Sequence, residues 1–110
     1  MAKFEIFKGK DDLFRFNLKA DNGKVILVSE SYKAKAGAQN GIESVKKNAG
    51  DPARYEMLES KDGQCYFNLK ALNGEIIGTS EMYVNFDNAN EGIAVVEAKA
   101  AGADVVDLTV

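Results

Sequence analysis

The 110-residue chain sets 14 Lys and Arg against 17 Asp and Glu, a formal net charge of −3, with 45% hydrophobic and 28% charged residues. That is the balance of one soluble globular domain, and it lacks the basic excess with which proteins neutralise nucleic-acid phosphates. The chain has no histidine, so the commonest general base and metal ligand is missing, and its single cysteine, Cys65, cannot form an internal disulfide, which suits a reducing compartment.

The opening residues, Met1-Ala2-Lys3-Phe4-Glu5-Ile6, turn charged at once and hold no apolar h-region of a signal peptide. No apolar run approaches the roughly 18 residues of a membrane span. A cytoplasmic location is expected.

Phe4–Phe7 reads as a first short strand. Phe14, Phe16, Leu18 and Ala20 then alternate with Arg15, Asn17 and Lys19, the period of two of a half-buried strand. Asn22-Gly23 follows, a hairpin signal because both residues tolerate positive φ. The β-branched run Val25-Ile26-Leu27-Val28 is the returning strand. The period then changes to 3.6: Ala38, Ile42, Val45 and Ala49 share one helix face, with Glu43 and Lys47 on the wet side. Gly50 and Pro52 stop this helix. Gly41, in mid-helix, costs about 1 kcal/mol relative to alanine, and points to a backbone approaching closely there, that of the sheet or of the partner helix.

The second half repeats the first. Shifted by 51 positions, residues 16–32 and 67–83 share 11 of 17 identities, including "FNLKA" letter for letter. Cys65, Phe67, Leu69 and Ala71 alternate with Tyr66, Asn68 and Lys70; Asn73-Gly74 and Ile76-Ile77 complete the hairpin; Ala89, Ile93, Val96 and Ala100 form the helix face around Gly92, with Gly102 as stop. The first-strand pattern occurs three times, near Phe4–Phe7, Arg54–Glu59 and Val105–Thr109. The chain therefore reads β-β-β-α-β-β-β-α-β: one domain with repeat one at 1–52, repeat two at 53–103 and a closing strand at 104–110. Two such units, too small to bury a core alone, are expected to pair about a pseudo-two-fold axis and place both helices on one face. The expected particle is a monomer that behaves as a covalent dimer.

The run FxFNLKAxNGxxI…SExY…A…GIxSV, present nearly twice, resembles the YegP-like family of small bacterial proteins, over essentially the whole chain. The resemblance implies an α+β fold of tandem repeats sharing a single antiparallel sheet with exchanged strands, covered on one face by two helices. Leu27-Val28-Ser29 stands where the second copy has Gly78-Thr79-Ser80, without threat to the fold. The family supplies no catalytic residues, and it carries a loose association with stress responses.

The chemistry-bearing candidates are few. Cys65 takes the place of Phe14 on an apolar parity and reads as an inert core thiol with no histidine to activate it. Ser29, Glu30 and Tyr32, with Ser80, Glu81 and Tyr83, stand where strand gives way to helix in both copies. Glu30 and Glu81 facing each other across the axis within about 6 Å would make a coupled carboxylate pair for a small enzyme. The plain alternative is that each Tyr packs under its helix while Ser and Glu satisfy backbone groups. The sheet face away from the helices is the better candidate: Arg15, Asn17, Lys19, Tyr66, Asn68 and Lys70 point outward there, as a binding patch or as a merely solvated face. Phosphate loops, metal spacings and nucleophile elbows are missing, so no cofactor or metal is implied. The expected function is a non-enzymatic module that binds a protein or small ligand, rather than nucleic acid or membrane, through the open face or an edge strand. A stress-related structural protein that assembles through its edges is the remaining alternative.

Overall fold

Among the described residues the alternating strands and 3.6-period segments settle into nine main elements. The computed structural model, which describes residues 2–110, places β1 at Lys3–Lys8, β2 at Phe14–Lys19, β3 at Val25–Ser29 and α1 at Lys35–Asn48. After a 3-10 turn at Pro52–Arg54 come β4 (Tyr55–Glu59), β5 (Cys65–Lys70), β6 (Ile76–Thr79), α2 (Phe86–Lys99) and β7 (Asp104–Asp107). All seven strands form one sheet in the order β4-β5-β6-β3-β2-β1-β7. Val28 pairs with Thr79, its repeat equivalent, at the sheet centre, so the pseudo-two-fold axis passes between β3 and β6.

Strand parity decides the core. Phe4, Ile6, Phe16, Leu18, Phe67 and Leu69 turn toward the helices and are fully buried, meeting Ala38, Ile42, Val45 and Val96 from α1 and α2. An aromatic trio is built twice. Phe16 meets Phe4 edge-on at 5.8 Å and stacks on Tyr32 at 6.4 Å; Phe67 meets Tyr55 edge-on at 5.7 Å and stacks on Tyr83 at 6.2 Å. At the centre the copies differ for a packing reason. A Cβ on Gly78 would lie 2.7 Å from the Leu27 side chain, so one leucine fills a space that two could not share.

The α+β class, the repeats, the helices on one face and the closing strand are as expected, with differences in detail. The sheet is mixed, not wholly antiparallel, because β7 runs parallel to β1. The slot beside β2, which pseudo-symmetry with β4 beside β5 would assign to β7, is taken by β1, and β7 is displaced outside it. The hairpin turns also differ from a two-residue loop. Gly23 and Gly74 take positive φ but Asn22 and Asn73 do not; each Asn side chain instead accepts the N–H two residues on, from Lys24 and Glu75.

The helix starts are unequal. Asn85 caps α2 by accepting the Asn88 N–H at 2.8 Å, whereas Ala34, its counterpart before α1, offers no side-chain cap. Ala34→Asn is therefore expected to stabilise the protein by about 1 kcal/mol, read as a rise in denaturation midpoint at unchanged slope.

Candidate functional site

The open face of the sheet is built from the outward parity of β1, β2, β3, β4, β5 and β6. One row crosses it as Glu56, Asn68, Thr79, Val28, Asn17 and Glu5. The cations expected there are present, and each is already engaged. Lys19 Nζ lies 2.7 Å from Glu5, Lys70 Nζ 3.0 Å from Glu56, and Arg15 makes two bonds to Asp11 at 2.8 and 3.1 Å. Lys19 first, aided by Lys3, holds the Glu5 carboxyl below its ordinary range, and Lys70 does the same for Glu56. Asn68 is buried and accepts the Thr79 hydroxyl at 2.8 Å. Tyr66 is half-buried opposite Leu58. The structure thus brings the six residues to one face while matching their positive charge with carboxylates, Glu5 and Glu56 from the flanking strands and Asp11 from the β1–β2 loop.

The second set behaves as twin structural fittings. Ser29 Oγ accepts the Phe16 N–H at 2.8 Å and donates to the Glu30 C=O at 2.7 Å; Ser80 does the same for Phe67 N–H and Glu81 C=O at 2.9 and 2.8 Å. Tyr32 and Tyr83 lie under Gly41 and Gly92, and burial first, then Glu30 or Glu81, pushes their hydroxyls above the ordinary range. Glu30 and Glu81 are both exposed. Val28 pairs with Thr79 in antiparallel register, so the two glutamates leave the central pair at opposite ends, about 13 Å apart along the strands. They are not brought together. Glu81 and Tyr83 line an open groove of about 600 Å³ with Lys24 and Glu91. Cys65 is buried, and burial first, then Glu59, raises its thiol pKa. Among the described residues no cluster of Cys, Asp and Glu is arranged to hold a metal ion, and no helix is long and apolar enough to cross a membrane.

The two outer edges of the repeats differ most. Beside β1 lies β7, whose end is fastened there: Leu108 N–H donates to the Ile6 C=O at 2.9 Å, and Lys35 Nζ reaches Asp107 at 2.9 Å. Among the described residues no strand lies beyond β4. Phe67 exchanges bonds with Ser80, and Cys65 exchanges both backbone bonds with Tyr83, so these residues turn away from β4. Their partners Met57 and Glu59 consequently turn their N–H and C=O groups outward, as Ile6 does toward β7. Parity alone does not reveal this asymmetry. Its sequence trace is the set of departures between copies, Ser31, Lys33 and Lys35 against Met82, Val84 and Phe86.

The Asp107 carboxylate holds the end of β7. Its pKa is lowered to about 2 by the Thr109 hydroxyl at 2.6 Å, then by Lys35, then by the Thr109 N–H. A carboxyl depressed in the folded state stabilises above its unfolded pKa and loses that contribution as pH falls through the folded value. Lower protection of the Leu108 and Thr109 amides, measured against their intrinsic exchange rates at each pH and without global unfolding, is expected as pH falls from about 4 to about 2.

These features define a pseudo-two-fold, tandem-repeat α+β protein in which β7 covers the outer edge of β1 while β4, the equivalent strand, is left at the end of the sheet. The chain belongs to the family described as "Domain of unknown function (DUF1508)", whose model matches twice, at residues 10–56 and 60–107. The first match runs from β2 to the first two residues of β4 and the second from β5 to β7, leaving β1 outside. The chain is 52% identical over 106 residues to a UPF0339 protein of Acinetobacter baylyi and 46% identical over 106 residues to the UPF0339 protein YegP of Escherichia coli K12, with 96% of each chain covered in both cases. Among solved structures it is similar to YegP of E. coli (45% identity, TM-score 0.92, 97% of this chain and 92% of that one). It is also similar to a UPF0339 protein of Shewanella oneidensis (46% identity, TM-score 0.91, 97% and 91%). The YegP-like resemblance is borne out, and with it membership of a family whose function is uncharacterised.

Proposed function

We propose that this protein is a non-enzymatic interaction module of the cytoplasm that binds another polypeptide by strand addition along the outer edge of β4. The observation that carries the reading is the inequality of the two outer edges. β1 has β7 beside it, while Met57 and Glu59 on β4 direct unpaired backbone groups outward. An exposed strand edge is a template for an added strand, with main-chain bonds supplying affinity. The ion-paired cations of the open face support the edge over the face. The separation of Glu30 and Glu81, and the absence of histidine, favour binding over catalysis.

Glu59→Pro separates the edge from the face. Glu59 is exposed and its N–H turns away from β5, so proline there removes an edge donor without removing a ladder bond. In quantitative capture of binding proteins, Glu59→Pro is expected to lose at least tenfold while remaining folded. A variant with Asn17, Lys19 and Lys70 replaced by serine is expected to bind like the parent. The opposite pattern places the site on the open face.

A further inference from the structure

We infer that the strand added to β4 runs parallel to it and carries an apolar residue against Phe86. This inference rests on the edge reading and names its partner. The internal repeat supplies the template. β1 and β4 are equivalent strands, and the strand seated on the outer edge of β1 lies parallel, with Ile6 opposite Asp107. On that edge Lys35, at the start of α1, extends to the incoming strand and meets Asp107 at 2.9 Å. The equivalent position at the start of α2 is Phe86. The same rotation that relates the repeats carries Lys35 onto Phe86 and the place of Asp107 onto the residue opposite Met57.

The side chains around that place have changed in one direction. Ser31, Lys33 and Lys35 of the first copy correspond to Met82, Val84 and Phe86 of the second, which are 50%, 75% and 48% exposed. Met82 lies beside the turn at 60–64 that follows β4. Core packing does not call for three exposed apolar residues at alternate positions, and a lysine-to-phenylalanine change replaces a carboxylate-seeking contact with one that gains by excluding water. The occupant that fits is an extended segment of another polypeptide, parallel to β4, with an apolar side chain where β7 has Asp107. The β7 strand of a second copy fits less well, because it is already seated on its own β1.

Two peptides test this against labelled full-length protein by amide-proton NMR: ADVVDLTV, which is residues 103–110, and the same peptide with Asp107→Leu. The leucine peptide is expected to shift Met57, Glu59 and Phe86 at about tenfold lower concentration than the parent peptide. Phe86→Lys in the protein is expected to reverse the order. If both peptides shift Met57 and Glu59 equally, and Phe86→Lys changes nothing, the edge reading stands and the apolar specificity is overturned. If neither peptide shifts β4, the edge reading itself falls. Shifts at Met57 and Glu59 on raising protein concentration alone identify a second copy as occupant and overturn the inference.

Discussion

Phe67→Ala is expected to destabilise the protein by about 3–5 kcal/mol, and Phe16→Ala by the same order. Both rings are fully buried, each between an edge-on aromatic from the neighbouring strand and a stacked tyrosine beneath the helix. Removing either ring takes away a buried side chain and the surface on which its helix rests, and the tyrosine cannot fill the space without leaving its glycine. Chemical denaturation of the two variants should give losses of similar size, because the pseudo-symmetric trios are nearly superimposable in composition. One large loss beside one small loss would show that the halves do not share the packing load.

Gly92→Leu is expected to cost more than about 1 kcal/mol in net stability, even though leucine outranks glycine in helix propensity by nearly that amount. The reason is contact. A Cβ at Gly92 would collide with the Tyr83 hydroxyl, and would lie 2.7 Å from the ring carbon that bears it and 3.2 Å from Phe67 Cε2. Gly41 repeats the arrangement, with the Tyr32 hydroxyl at 2.5 Å and Phe16 Cε2 at 2.8 Å. Tyr83→Phe removes the oxygen that a new Cβ meets first. The cost of Gly92→Ala should therefore be smaller in the Tyr83→Phe background, a coupling that a double-mutant cycle reads directly. A rise in melting temperature for Gly92→Leu would show that the helix stands off from the sheet.

The helix glycines illustrate what the sequence makes legible. Their equivalent positions in two copies marked a close approach of a backbone; the approach is real but is made by side chains, Tyr32 and Tyr83 with Phe16 and Phe67 from the sheet. Alternation located the strands, and a 3.6 period located both helices, because each element buries a single face. The arrangement of β7 was less accessible. Its sequence marks it as a third copy of the β1 and β4 strand, and nothing local says that β1 would take the slot beside β2 and leave β7 parallel on the outside.

The open face shows a second boundary. Parity placed Lys19 and Lys70 outward, and the same parity on Phe4-Glu5-Ile6 and Tyr55-Glu56-Met57 places Glu5 and Glu56 beside them. That neutralisation becomes visible only when strand order is known, since it joins residues from different strands. The uncovered β4 edge is likewise a property of topology, and the change from Lys35 to Phe86 acquires meaning only once Lys35 is seen reaching β7.

The inequality of the two edges is tested most directly by amide hydrogen exchange at Met57 and Ile6 in the free protein. The parallel register puts the Ile6 amide against β7, and Met57 holds the equivalent place on β4, beyond which no strand lies among the described residues. Met57 should exchange at least a hundredfold faster than Ile6, at a rate independent of protein concentration. Equal protection of the two amides would mean that the β4 edge is already covered, and would contradict its role as a free docking edge.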